Sequence, residues 1–267
     1  MPIASPIPIR PIDQDEFAQI DYQVMRHAFT SQNELGRLCD EVIYQNDLAA
    51  RLENAGLGPV RKEVPVTVAH RDFVKTYSLD LVVGDAAIYE LKTATRIVGD
   101  HEAQLLNYLF LRGVHHGKLI NFRPPDVESR FVNTNLTPQA RKRLEFQTER
   151  WREEEEISRM LRATMSGLLE DWGGFLDLSL YTEALIHFLG GEEKVSQLVP
   201  LSREGVPLGN QRFHLLTPET AFRLTAFSEE AEAYERQLYS LMGLAPLRAV
   251  QWINLARHKI QFVTLTK

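Results

Sequence analysis

The stretch 77-YSLDLVVGDAAIYELK-92 decides the fold. Two runs rich in β-forming residues, 77–83 (YSLDLVV) and 87–92 (AIYELK), flank Gly84-Asp85-Ala86. A glycine beside a small polar residue between such runs signals a β-hairpin. With the turn centred near Gly84-Asp85, Asp80 and Glu90 lie nearly opposite one another, and cross-strand neighbours have Cβ atoms about 4.5–5.5 Å apart. Glu90 and Lys92 are two residues apart in a strand and so share a face. The hairpin thereby gathers two carboxylates and one amine inside an otherwise apolar element of Leu79, Leu81, Val83, Ile88 and Leu91.

Two carboxylates that close repel each other unless one takes a proton or a cation lies between them. A hard divalent cation such as Mg²⁺ suits them, because it takes oxygen ligands and often only one or two carboxylates. A neighbouring lysine can then orient a water or stabilise charge developing on a phosphate. That is the minimal equipment for metal-assisted phosphodiester hydrolysis. The bland alternative is a strand-edge cluster of acids neutralised by Lys92.

Outward from the hairpin, residues 63–69 (EVPVTVA) alternate as a strand, 102–111 (EAQLLNYLFL) form a short apolar helix, and 118–122 (KLINF) form a strand. Residues 131–135 are a further strand candidate. Upstream, 33–55 read as one helix carrying Leu35, Leu38, Val42, Leu48 and Leu52, stopped by Gly56-Leu57-Gly58-Pro59. Residues 13–28 read as a short helix and 3–12 as a proline-bearing extended arm. The order α-β-β-β-α-β predicts an α/β fold, a mixed sheet flanked by helices. Downstream, 138–169 read as one charge-dense helix containing Glu153 to Glu156, 178–189 as an apolar helix, and 228–241 as a helix with Ser228 at its N-cap. Residues 211–216, 221–227, 249–255 and 259–265 read as strands. The domain reading is an arm and short helix over 1–32, the mixed α/β domain over 33–135, and an α+β C-terminal extension over 136–267.

Five blocks sharpen this. Asp40-Glu41-Val42-Ile43-Tyr44, Asp80-Leu81-Val82-Val83, Tyr89-Glu90-Leu91-Lys92, the run 101-HEAQLLNYL-109 and Leu119-Ile120-Asn121-Phe122 stand in the order in which the GxxExxY proteins carry them. The chain closely resembles that family, part of the PD-(D/E)XK nuclease-like superfamily, over residues 33–135. The resemblance implies a restriction-endonuclease-like αβββαβ core, with Asp80 and Glu90 as metal-binding acids and Lys92 as the catalytic lysine. Glu41 matches the helical glutamate of the signature and would assist metal or water binding, whereas Leu38 stands where the signature has glycine. Tyr44, three residues on, shares the helical face of Glu41. Gln104 and Tyr108, at i and i+4 on the next helix, would point to the site and contact phosphate or position Lys92. Arg37 is a further phosphate-contact candidate, with Arg61, Lys62, Arg71 and Lys75 on flanking elements.

The chain has 267 residues with 44% hydrophobic and 25% charged residues, an ordinary globular composition, and one cysteine, Cys39, which cannot form an internal disulfide. No run of about 18 apolar residues occurs and the N-terminal ten carry three prolines, so a membrane anchor or signal peptide is not expected and a cytoplasmic protein is. The net charge is −6, with 18 Lys and Arg against 20 Asp and Glu over 1–150 and 12 against 16 over 151–267. No half is basic, so any nucleic-acid footprint is confined to a face near the hairpin. The stretch Arg141-Lys142-Arg143, interleaved with glutamates, reads as a salt-bridged helix. His101, His115 and His116 lie near the expected site, but a histidine pair in a loop reads as solvent-facing before it reads as a metal ligand, and His214 and His258 have no partners at metal-ligand spacing. Trp151, Trp172 and Trp252 read as core or interface anchors.

The function expected is a metal-dependent nuclease, with Mg²⁺ or Mn²⁺ held by Asp80, Glu90 and Glu41 and with DNA as the partner. The rival is a catalytically silent nucleic-acid-binding or protein-assembly module on the same fold. For residues 136–267 three roles stay open: target recognition, dimerisation (which would make the protein a homodimer), or an extension packed on the nuclease-like sheet.

Overall fold

A computed structural model describes residues 2–153 and 155–267. Met1 of the expected arm and Glu154 of the expected charge-dense helix lie outside the described residues. The chain divides into two compact units, one of residues 1–69 with 74–140 and one of residues 70–73 with 141–267. No helix among the described residues is long and apolar enough to cross a membrane.

In the first unit the elements run β1 (Ile3–Ala4), α1 (Gln14–Leu35), α2 (Glu41–Asn54), β2 (Val60–His70), β3 (Phe73–Val83), β4 (Ala87–Lys92), α3 (Gly99–Arg112), β5 (His116–Asn121) and β6 (Glu128–Asn133). The six strands form one sheet in sequence order, β1-β2-β3-β4-β5-β6. The β4–β5 pair is parallel, Glu90 facing Leu119, because α3 carries the chain back across the sheet. β3–β4 and β5–β6 are antiparallel. This is the α-β-β-β-α-β order expected, with a mixed sheet flanked by helices.

The helix boundaries differ from the sequence reading. α1 runs through to Leu35 in a single 22-residue helix, started by Asp13, whose side chain accepts the amide of Glu16 at 2.9 Å. It stops at Gly36, where φ is +75°, a backbone conformation that glycine adopts at little cost. α2 then starts afresh at Glu41. One long helix over 33–55 is therefore corrected to the end of α1, a break at Gly36, and α2.

The strands sort their residues by face. Tyr89 and Leu91 join Leu81, Val83, Ile120 and Phe122 in a core that also takes Phe17, Val24 and Ala28 of α1 and Tyr44, Leu48 and Leu52 of α2. Ile88, Glu90 and Lys92 point to the other face. There α3 lies so close to β5 that a side chain at Gly117 would run into Leu105 and Leu109. Ala87 to Leu91 are all buried, as a central strand covered on both faces must be.

The second unit holds α4 (Pro138–Arg141, its last residue within the unit), β7 (Glu145–Arg150), α5 (Glu156–Trp172), α6 (Leu178–Phe188), α7 (Glu192–Val195), β8 (Ser196–Arg203), β9 (Val206–Thr217), β10 (Thr220–Thr225), α8 (Ala231–Leu244), β11 (Ala249–Ala256) and β12 (Lys259–Thr266). Its sheet runs β7-β12-β11-β10-β9-β8. The expected single helix over 138–169 is corrected here. Residues 145–150 (EFQTER) pair in parallel with β12, Glu145 beside Lys259 and Phe146 beside Ile260. Pairing satisfies a whole row of backbone groups, which outweighs the weak helix propensity of a charged hexapeptide. The salt-bridged helix goes with it. Arg141 is buried and donates to the Gly174 carbonyl at 3.1 Å, while Arg150 pairs with Glu235 of α8 at 2.6 Å.

Candidate active site

The β3–β4 ladder pairs Val83 with Ala87, Val82 with Ile88 and Leu81 with Tyr89. The turn that sets this register has Gly84 at φ +64° and Asp85 at φ +49°. Asp80 and Glu90 are the next residue on each strand. At that point the side chain of Asp80, not its main chain, meets the neighbouring strand: Oδ2 accepts the Leu91 amide at 2.7 Å.

Glu90 is 1% exposed. Its Oε1 accepts from Lys92 Nζ at 2.7 Å, and its Oε2 is buried with no hydrogen-bond partner among the described residues. A buried carboxylate oxygen without a partner carries a desolvation cost of several kcal/mol at the upper end, and it favours the protonated form. Burial, and then the charge of Asp80, push Glu90 up to about 8, against the pull of Lys92. Asp80 is pushed up to about 6, chiefly by burial, while the Leu91 amide and the Lys92 charge oppose this and Glu41 and Glu63 add to it. Burial lowers Lys92, but the charges of Glu90, Asp80 and Glu41 outweigh it and hold the ammonium above its ordinary range. Lys92 therefore remains a cationic donor at neutral pH.

Glu41, first residue of α2 and half-buried, acts on Asp80, Glu90 and Lys92 through its charge. On α3, Gln104 Nε2 donates to the Tyr108 hydroxyl at 3.0 Å. The Tyr108 phenol is raised by burial and further by Glu90 and Asp80, which places it within their field. Asp80, Glu90, Lys92 and Glu41 thus act on one another, and Tyr108, held by Gln104, lies within the field of Glu90 and Asp80.

One of the expected residues does other work. Tyr44 is fully buried in the core, stacked on Phe122 with ring centroids 4.5 Å apart, and its hydroxyl donates to the Gly36 carbonyl at 2.7 Å. As a substrate contact it is corrected to a core residue that ties α2 to the end of α1. Arg37 is exposed in that α1–α2 break, and its carbonyl accepts from Arg123 at 2.7 Å. Three carboxylates are not preformed as a ligand shell either, since no group of three or more His, Cys, Asp and Glu side chains spaced to hold a metal occurs among the described residues. One Glu90 oxygen is turned to Lys92 and one Asp80 oxygen to Leu91, so one oxygen of each acid is committed to a protein donor.

Two residues escaped the sequence reading. Gln45 Nε2 donates to the Asp80 carbonyl at 2.9 Å and to Glu63 Oε1 at 2.6 Å. Glu63 Oε2 in turn accepts from Ser78 at 2.6 Å. The signal was present: Gln45 lies four residues after Glu41, and i, i+4 neighbours share a helix face more closely than i, i+3.

The donor set fits a divalent cation. One amine cannot neutralise Asp80, Glu90 and Glu41 together, and the partnerless Glu90 Oε2 is a hard oxygen donor of the kind such ions take. Residues 18–132 match the family described as the PD-(D/E)XK nuclease superfamily. The mixed sheet flanked by helices over these residues is consistent with that superfamily's restriction-endonuclease-like fold. PD-(D/E)XK nucleases typically use divalent metals, in keeping with the charge balance of these acids. No curated protein and no solved structure matches the chain. The PD-(D/E)XK match runs from within α1 to within β6 with the whole acid cluster, and stops before residues 141–267.

Proposed function

We propose that the chain is a metal-dependent nuclease of the GxxExxY type that hydrolyses phosphodiester bonds in DNA, with Asp80, Glu90 and Glu41 as the groups that hold Mg²⁺ or Mn²⁺. The observation that carries this reading is Glu90: a carboxylate 1% exposed, one oxygen on Lys92 and the other without a partner among the described residues. A bound divalent cation supplies Lewis acidity toward a phosphodiester oxygen.

The chain's own residues supply the rest. Lys92, kept protonated by the acids beside it, donates to a water oxygen or to a phosphate oxygen on which charge builds up. Tyr108, held by Gln104, offers its hydroxyl proton on the same side of the sheet. Asp80 is held at both its carboxylate and its carbonyl, which fixes where its Oδ1 stands. Preorganisation of this kind removes reorganisation cost from the reaction.

The test is cleavage of plasmid, linear duplex and single-stranded DNA and of RNA, with and without Mg²⁺. Wild type should cleave DNA, Asp80→Asn should be inactive, and Lys92→Ala should lose about 100-fold or more, the usual loss for one preorganised donor. Cleavage that survives Asp80→Asn would sink the proposal. Binding of nucleic acid with steep salt dependence and no product would favour the silent module instead.

A further inference from the structure

Asp80 is gripped from two sides, and only one grip belongs to the hairpin. The Leu91 amide holds its carboxylate. Its carbonyl is held by Gln45, a residue 5% exposed whose Nε2 uses both protons, one on Asp80 and one on Glu63. Glu63 completes the chain by accepting from Ser78, two residues before Asp80 on the same strand. The path Ser78–Glu63–Gln45–Asp80 thus leaves β3, crosses β2 and α2, and returns to β3.

Glu63 reaches this position at a cost. Its φ is +50° within β2, a left-handed backbone that a residue with a side chain adopts at roughly 1–2 kcal/mol. Such strain persists where the surroundings over-determine it and clusters at functional sites. The placement is also electrostatically unfavourable, since it brings a further carboxylate toward Asp80, which Glu41 already crowds. A brace for the fold alone would be better made from a neutral amide. A site that takes up positive charge removes that objection.

We propose that Gln45 and Glu63 are positioning residues for Asp80, a hydrogen-bonded relay that aims its carboxylate for a divalent cation without touching the cation. This rests on the nuclease-type reading of the site only in its choice of ligand. Outer partners that orient a metal-binding group typically contribute about 10–100-fold in metal affinity.

The experiment is calorimetric titration of the whole chain with Mn²⁺ alone, with the melting temperature of each metal-free variant alongside. Glu63 is exposed, so Glu63→Ala should fold with an unchanged melting temperature and bind Mn²⁺ about 10-fold or more weakly. Gln45→Leu should weaken Mn²⁺ in the same direction. Glu63→Gln keeps an acceptor for Gln45 and a partner for Ser78, and should restore affinity close to wild type. Wild-type affinity in Glu63→Ala overturns the proposal. So does a Glu63→Gln variant as weak as Glu63→Ala, because the charge would then matter and not the hydrogen bonds. Mn²⁺ uptake by wild type without cleavage of any nucleic acid would sink the nuclease reading and leave the positioning role standing. No uptake by wild type overturns both.

Discussion

Glu90 and Asn254 are two buried polar residues at the centres of two six-stranded sheets, and they are treated in opposite ways. Asn254, on β11 of the second unit, is 0% exposed and uses its full capacity. Its Oδ1 accepts from Thr225 and from the Phe227 amide, each at 2.8 Å, and its Nδ2 donates to the Phe227 carbonyl and to Gln261, each at 2.9 Å. Trp252 adds its indole proton to the same Thr225 hydroxyl at 2.8 Å. Glu90, almost equally buried, has one oxygen satisfied and one not. The difference is not a property of the first unit as such, because Asn121 on neighbouring β5 is also saturated, holding Ala94, Arg123 and Glu128. Asp21 of α1 is short in the same way, one oxygen on Lys118 and Oδ1 without a partner among the described residues; what sets Glu90 apart is that its unpartnered oxygen lies among further carboxylates.

The contrast can be broken first at Asn254. Asn254→Leu strands a hydroxyl, a backbone amide, a backbone carbonyl and a glutamine amide group at once, so it should cost about 3 kcal/mol or more, read by denaturant unfolding of the second unit. A loss well below that would mean that the network is not what organises this end of the sheet.

At Glu90 the sign should reverse. In the metal-free protein Glu90→Gln removes a buried charge and should stabilise the first unit by about 1–3 kcal/mol at alkaline pH. The pH dependence follows from the raised carboxyls. Glu90 and Asp80 favour folding when protonated, so their contribution is fully present below the ordinary carboxylate range and is lost as pH rises through about 6 for Asp80 and about 8 for Glu90. Metal-free wild type should lose stability over that window, and Glu90→Gln should flatten the upper part of the curve. A melting temperature that rises between pH 6 and pH 8.5 would contradict this.

The smallest effect belongs to the surface. Arg150→Ala breaks the pair with Glu235, whose side chains are 55% and 21% exposed, and should cost no more than about 1 kcal/mol. A larger loss would place the pair in a different class from the exposed ion pairs it resembles.

Much of the first unit was legible in the sequence because its signals are local. The alternation in β2 and the Gly84-Asp85 turn fix strand, register and face, so Asp80, Glu90 and Lys92 could be brought together from spacing alone. Gly36 was passed over because apolar periodicity continued across it, although its left-handed backbone is what separates α1 from α2. Tyr44 shared a helix face with Glu41 only loosely; three residues turn a helix 60° short of a full circle, enough to send the ring into the core while Gln45 keeps to the site. Residues 145–150 failed as a helix because their partner, β12, lies over a hundred residues downstream, and no local pattern reports it.

By itself the sequence determined which acids and which amine meet, since hairpin register depends on a turn a few residues long and on a side-chain period of two. Whether those groups would be satisfied was decided only by the tertiary structure. Glu90 Oε2 is an orphan, and Asn254 is not, because of what packs around each from distant segments. Hydrogen-bond capacity is a property of a residue, but its use is a property of the neighbours that exclude water.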